Sequence, residues 1–432
     1  CAFVDDPAGG GASMTIKVDA LVLAGTSDQT GPLAGGQADN GSFYIAIRQI
    51  TGGHEIEIHK ASTVGGTYAL EETWAVPGGS GAAIANAILV GNTIHCFYAE
   101  SLGSGMTATR EIFHREYDCS TDAWDAAATL ITTIDRDTSD PSRSGAFGWD
   151  DINSTLYAVL YSDTANVMGQ PQIRFDLWTW TSGGGWVNEG NADGAPDTSV
   201  QGLQGAWSPA GQRFHLFCPI TNATARHFSW NTIQTRDNLV TLTLTNTGAQ
   251  HPKLSAFEIA PAIPIEGGAS AEIAAIYGYA SFSREHIWVR CISEASPTLQ
   301  EDSMNADFND DDVSPIIMGW WNEADDELNV IAVDAIAATQ QWKRATSTDQ
   351  GDTWTAAPWT DVGAITDDYD QVTTMLRNFA DLDHSRDVSG STRIEWAYKD
   401  GDHDIRVISF EIAGGGPAAV AELIMAPIQP AA

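Results

Sequence analysis

Lysine is nearly absent from this chain, with five residues in 432. Only 21 Lys+Arg stand against 57 Asp+Glu, a formal charge of -36. The acidic residues are spread along the chain rather than gathered in a tail. Such a surface repels phosphate backbones and anionic headgroups, which excludes nucleic acid and anionic membrane as partners. No apolar run reaches the roughly 18 residues that span a bilayer. The longest candidate, 418–428, is interrupted by Glu422 and Pro427. Cys1, Cys96, Cys119, Cys218 and Cys291 show no CxxC spacing, and most read as small buried hydrophobes rather than a disulfide framework. The histidines form no HxxxH or HExxH pattern; His54, His59, His95 and His114 read as residues in or beside strands. There is no P-loop, no GxGxxG between a strand and a helix, and no GxSxG, which excludes those routes to nucleotide binding and to a nucleophile elbow.

What remains is strand-rich. Short alternations of apolar and polar residues recur between Gly, Asp, Asn and Ser clusters. They read as seven hairpins: 43–49 with 55–60, 93–100 with 110–117, 155–162 with 172–178, 213–219 with 225–231, 272–277 with 286–292, 327–333 with 340–345, and 393–398 with 404–410. Their first strands begin roughly 50 to 66 residues apart, close to the period of propeller repeats. Segments rich in small residues precede several hairpins and end in Trp149, Trp207 and Trp321. Gly and Ala there suit an innermost strand, where neighbouring backbones crowd. Recurrence of Trp at one repeat position favours packing over sugar stacking. The run 15–23 is a strand without a hairpin of its own, and the seventh hairpin lacks an outer strand. Pairing the two closes the ring and removes free edges.

The expected architecture is therefore all-β, a seven-bladed β-propeller closed by an N-terminal strand, with six blades as the alternative. Residues 1–14 form a flexible N-terminal segment, 15–412 the propeller, and 413–432 a Gly/Pro/Ala-rich tail suited to docking a protein partner or to no role.

Ser347-Thr348-Asp349-Gln350-Gly351-Asp352-Thr353-Trp354 fits the pattern S-x-D-x-G-x-T-W. Ser and Asp side chains of such a run hold a turn, Gly supplies positive φ, and Trp inserts between sheets. Degenerate copies follow the second strand of other hairpins: Ser62-Thr63-Val64-Gly65-Gly66-Thr67-Tyr68, Ser120-Thr121-Asp122-Ala123-Trp124 and Thr181-Ser182-Gly183-Gly184-Gly185-Trp186. With these boxes the chain resembles the Asp-box (BNR-repeat) sialidase-like β-propellers, a family of sialidases, other glycosidases, lectins and adhesion proteins. The resemblance spans about residues 15 to 412. It implies structural roles for Ser347, Asp349, Gly351, Thr353 and Trp354, because the family's boxes lie on the face opposite the ligand.

Catalysis of the sialidase kind is not recognisable. No Arg-Ile-Pro occurs, and 31–37, the first inner segment, contains no Arg. The loops expected on the ligand face carry many Asp residues, which disfavours an anionic sugar. Arg143 and Arg377 fall at inner strands, with Asp140, Tyr369 and Asp370 near them in sequence. They are the candidate ligand-binding residues, the competing reading being ion pairs between blades. Asp307, Asn309, Asp310 and Asp312 offer closely spaced oxygen ligands for Ca²⁺, or form a solvated loop. No other cofactor is implied. The leading expectation is a non-catalytic propeller that binds a glycan or cell-surface polysaccharide, extracellular or on a virion or cell surface. A lipoprotein anchor at Cys1 is a further option. The alternatives are a glycoside hydrolase or lyase of the same fold, and a structural assembly module.

Overall fold

A computed structural model describes residues 14–26, 31–49, 55–76, 84–102, 109–135, 145–150, 152–167, 170–191, 204–208, 211–221, 224–231, 236–243, 258–259, 263–264, 273–278, 286–291, 297–301, 317–322, 327–334, 341–349, 360–364, 385–388, 391–399, 402 and 404–413. Among them there is strand and turn but no helix, and no helix long and apolar enough to cross a membrane.

The chain enters through β1 (Met14–Leu23), a strand of the last sheet. β2 (Gly31–Gln37), β3 (Phe43–Gln49), β4 (Glu55–Ala61) and β5 (Ala69–Ala75) form the first sheet. The second holds β6 (Ile84–Val90), β7 (Thr93–Leu102), β8 (Thr109–Asp118), the short β9 (Ala123–Trp124) and β10 (Thr129–Asp135). β11 (Gly145–Asp150), β12 (Thr155–Val167), β13 (Gln170–Thr181) and β14 (Gly185–Asn191) make the third. β15 (Gln204–Ser208), β16 (Arg213–Thr221), β17 (Thr224–Asn231) and β18 (Arg236–Thr243) make the fourth. The fifth contains β19 (Glu258–Ile259), β20 (Ile263–Pro264), β21 (Ile273–Gly278), β22 (His286–Cys291) and β23 (Pro297–Glu301). The sixth contains β24 (Ile317–Asn322), β25 (Glu327–Asp334), β26 (Gln341–Ser347) and β27 (Thr360–Ala364). β28 (Ser385–Val388), β29 (Ser391–Lys399) and β30 (Ile405–Ala413) complete the last sheet with β1, in the order β1-β30-β29-β28.

Composition changes from the first to the fourth strand of a sheet for a physical reason. In the first sheet β2 is small and buried at every position but Gln37, and β3 is buried on both faces over Phe43–Ile47. β4 alternates, and β5 is exposed except toward its end, where Trp74 is buried. A strand flanked by strands and sheets on all sides reads as a continuous apolar run, whereas one at the rim shows one wet face. The first strands touch one another in chain order: β2 with β6, β6 with β11, β11 with β15, β15 with β20, β20 with β24 and β24 with β28. β2 also contacts β29 of the last sheet. At Gly205 a methyl group would sit 2.9 Å from the His215 carbonyl oxygen and 2.5 Å from the Phe214 ring, so this inner strand needs glycine to approach its neighbours.

The core is a series of apolar seams between adjacent sheets. One joins the last, first and sixth sheets through Phe410, Ile45 and Trp342. The next lies between first and second sheets around Trp74, Tyr44 and Tyr117, and another lies between second and third around Phe97 and Phe147. Trp207 is fully buried and stacks on Tyr157 with ring centroids 4.9 Å apart, so it packs and is not offered to a sugar.

Candidate functional site

The turns after the third strands share one construction. Gly66 N donates to the Thr63 carbonyl (2.9 Å), Thr121 N to the Asp118 carbonyl (3.3 Å) and Gly184 N to the Thr181 carbonyl (3.2 Å). The aromatic residue that follows packs toward the preceding sheet. Tyr68 enters the seam with the last sheet. Trp124 meets Trp74 of the first sheet at 5.7 Å, and Trp186 meets Phe97 of the second at 5.7 Å. After the third strand of the sixth sheet, Ser347 Oγ donates to Asp349 Oδ1 at 2.7 Å. Arg115 lies over Trp74 and Trp124, with its guanidinium 5.6 and 5.2 Å from the ring centroids.

The degenerate box at 120–124 departs from the expected pattern. Its turn is capped by Asp118, which accepts from Ser120 N (2.7 Å) and Thr121 Oγ1 (3.0 Å). Asp122, at φ 51°, instead reaches across to the first sheet. It accepts from Lys60 Nζ at 2.5 Å and from the Tyr44 hydroxyl at 2.8 Å. Asn40 Nδ2 donates to the Cys119 carbonyl at 2.5 Å, while Asn40 N donates to Asn92 Oδ1 at 2.8 Å. Hydrogen bonding to Asp122 raises the Lys60 pKa. Burial alone would raise the Asp122 pKa, but the bonds from Lys60 and Tyr44 outweigh it and hold the carboxyl below its usual range. The network is a charged latch between two sheets, at the end where the box turns lie. Burial pushes the Cys119 thiol up to about 12 and the Cys96 thiol higher still, so neither supplies a thiolate nucleophile at neutral pH.

A second constellation lies between the second and third sheets, and sequence reasoning missed it. His95 Nδ1 and His114 Nε2 are 3.0 Å apart, and both rings are buried. Trp180 meets them edge-on at 4.9 and 5.6 Å, and Trp186 meets His114 at 5.3 Å. Burial lowers the His95 pKa to about 3; burial and then the neighbouring His95 lower that of His114 to about 2. Both rings are neutral at pH 7. Glu116, which faces His95 across the ladder, completes a group of three potential metal ligands. The signal lay in hairpin register: once Thr93 pairs with Asp118, His95 must face Glu116 and Phe97 must face His114.

The same diagonal recurs. In the fourth sheet His215 faces Ser229 and Phe217 pairs with His227, bringing His215 Nδ1 within 3.0 Å of His227 Nε2. In the sixth, Asn329 faces Thr346 and Ile331 faces Arg344. Arg344 donates to Asn329 Oδ1 from Nη2 at 2.6 Å and to Glu327 Oε2 at 2.7 Å.

Of the residues singled out from sequence, Ser347 and Asp349 are hydrogen-bonded to each other. Gly351, Thr353 and Trp354 lie outside the described residues, as do Arg143, Asp140, Tyr369, Asp370 and Arg377 and the acidic run with Asp307, Asn309, Asp310 and Asp312. Residues 1–13 and 414–432 also lie outside them.

No protein-family model and no curated protein matches the chain. Among solved structures it is similar to an α-L-arabinofuranosidase of Fusarium graminearum in complex with arabinobiose, at 9% identity and TM-score 0.45, over 91% of this chain and 97% of that one. It is also similar to the Aleuria aurantia lectin in complex with Fucα1-6GlcNAc, at 10% identity and TM-score 0.41, over 79% and 97% of the two chains. A third is the β-propeller domain of the Trilobed protease from Pyrococcus furiosus, at 7% identity and TM-score 0.37, over 72% and 78%. These likenesses transfer no residue role to this chain.

Proposed function

We propose that the chain is a seven-bladed propeller of the Asp-box type, its ring closed where β1 pairs with β30, and that it binds glycans without cleaving them. The observation that carries this reading is the division of labour between the two ends of the sheets. At one end the box-bearing turns are committed to packing and to the latch between Lys60, Tyr44 and Asp122. β10 and β27 end, and β11 and β28 begin, at the other end of the sheets, and the segments joining them are 136–144 and 365–384. They carry Arg143, Asp140, Tyr369, Asp370 and Arg377, a mixture of guanidinium, carboxylate and phenol groups able to hydrogen-bond sugar hydroxyls. The excess of Asp in these connections favours neutral sugars over sialic acid. The partner is then a neutral glycan or polysaccharide, and the protein works outside the cell or on a cell or virion surface.

A glycan array run beside a reducing-sugar release assay tests the proposal. Binding to neutral glycans without release is expected, and Arg143→Ala together with Arg377→Ala should weaken it by roughly tenfold or more, as loss of charge-assisted hydrogen bonds does. Release of sugar makes the protein a glycosidase and overturns the non-catalytic part. Silence in both assays overturns glycan binding and leaves a structural module.

A further inference from the structure

Three metal-ligating atoms converge in the seam between the second and third sheets. His95 Nδ1, His114 Nε2 and a Glu116 carboxylate oxygen lie within 4.8 Å of one another. They share one face because β7 pairs His95 directly with Glu116, and His114 stands two residues before Glu116 on β8.

The fourth sheet offers a comparison. There His215 and His227 take the same diagonal with the same 3.0 Å N···N contact, and both are fully buried. The residue paired with His215 is Ser229, and in the sixth sheet the corresponding residue, paired with Asn329, is Thr346. A small hydroxyl residue therefore stands at that place in both the fourth and the sixth sheet. In the second sheet a carboxylate stands in that place. A cation between it and the two imidazoles would meet all three ligand atoms at once.

Donor chemistry narrows the cation. Two neutral imidazoles and a carboxylate suit zinc and its neighbours, whereas calcium and magnesium prefer oxygen. Metal–nitrogen bonds of about 2.0–2.1 Å at a tetrahedral angle place two nitrogens roughly 3.3 Å apart, close to the 3.0 Å seen between His95 and His114. We propose that His95 Nδ1, His114 Nε2 and the Glu116 carboxylate form a binding site for one divalent transition ion of the zinc type. On binding, the ring that donates in the His95–His114 hydrogen bond shifts its proton to its other nitrogen. Both rings stay neutral, and Glu116 binds as the carboxylate.

The test uses the whole chain freed of metal with a chelator, then titrated with Zn²⁺ alone by calorimetry and desalted for metal counting. Retention of about one Zn²⁺ per chain is expected, and Glu116→Gln should lose roughly tenfold or more in affinity, the scale set by removing a ligand-shell partner. Circular dichroism of this nearly isosteric variant checks that it folds. Co²⁺ in place of Zn²⁺ should give the intense visible absorption of a four-coordinate site in the wild type and lose it in Glu116→Gln. Weak binding by surface acidic residues is common to both proteins and cancels in the comparison. Wild type that retains no Zn²⁺, or Glu116→Gln that binds as tightly as wild type, overturns the proposal.

Discussion

Residue by residue, the most consequential chemistry is that of buried neutral imidazoles. Burial depresses the pKa values of His95, His114 and His227. An unfolded histidine titrates near pH 6.5, about three pH units or more above the folded values of His95 and His114. Below pH 6.5 the unfolded chain binds protons that the folded chain refuses, so stability falls as pH falls through that window. Each such histidine contributes up to about 1.4 kcal/mol per pH unit. Thermal unfolding followed from pH 7 to pH 4 should show a steep, continuous fall in Tm beginning near pH 6. The Asp122 carboxyl acts lower: its depressed pKa gives stability present above about pH 3.9 and lost only below it. A flat Tm between pH 6.5 and pH 4 would contradict neutral burial of the pairs. The sequence showed these histidines as strand residues and nothing more, because their proximity arises from pairing across a hairpin and not from spacing along the chain.

At the scale of single elements, hairpins were the legible part and cross-sheet bonding was not. Alternation located β3 and β4 to within a residue of their observed bounds, since burial on one or both faces writes itself into the sequence. In sequence the turn at 120–124 is a degenerate copy of the box. Locally that is reasonable, but Asp122 binds Lys60 and Tyr44, whose positions in another sheet no local pattern encodes. The inner-strand tryptophans were legible as packing residues because they recur at one place, and Trp207 is buried accordingly. The latch makes its own prediction. A double-mutant cycle with Lys60→Met and Asp122→Asn should give a coupling energy of about 1 kcal/mol, the upper part of the range for partly exposed pairs. The pair joins two sheets, and its side chains are 25% and 32% exposed. A coupling within error of zero in urea unfolding would make the contact incidental.

For the whole molecule, the decisive joint is where the two ends of the described chain meet. β1 runs antiparallel to β30 from Met14 paired with Ile412 to Leu23 paired with Ile405. Asp19 on β1 accepts from Arg406 Nε at 2.8 Å and from the Tyr398 hydroxyl at 3.1 Å. Both members of the ion pair are about nine-tenths buried, at 10% and 11% exposure. Asp19→Ala should cost about 3 kcal/mol, the loss typical of breaking a buried pair from one side. It should also lower the unfolding midpoint of the whole chain in a single transition, whereas separate melting of the last sheet would show that the joint does not unite the molecule. The need for such a strand was legible from an unpaired N-terminal run and a hairpin lacking an outer partner. Residue roles in the connections between sheets were not, since a loop's sequence carries charge and composition but not the neighbours it meets.

The central claim is that one end of the sheets builds the protein and the other binds its glycan. Hydrogen exchange, measured with and without the neutral glycan that binds tightest on the array, tests this most directly. Protection of 136–144 and 365–384, with no change at the turns 62–68, 119–124 and 181–186, is the predicted result. Protection of those turns, with the connections unaffected, would contradict it.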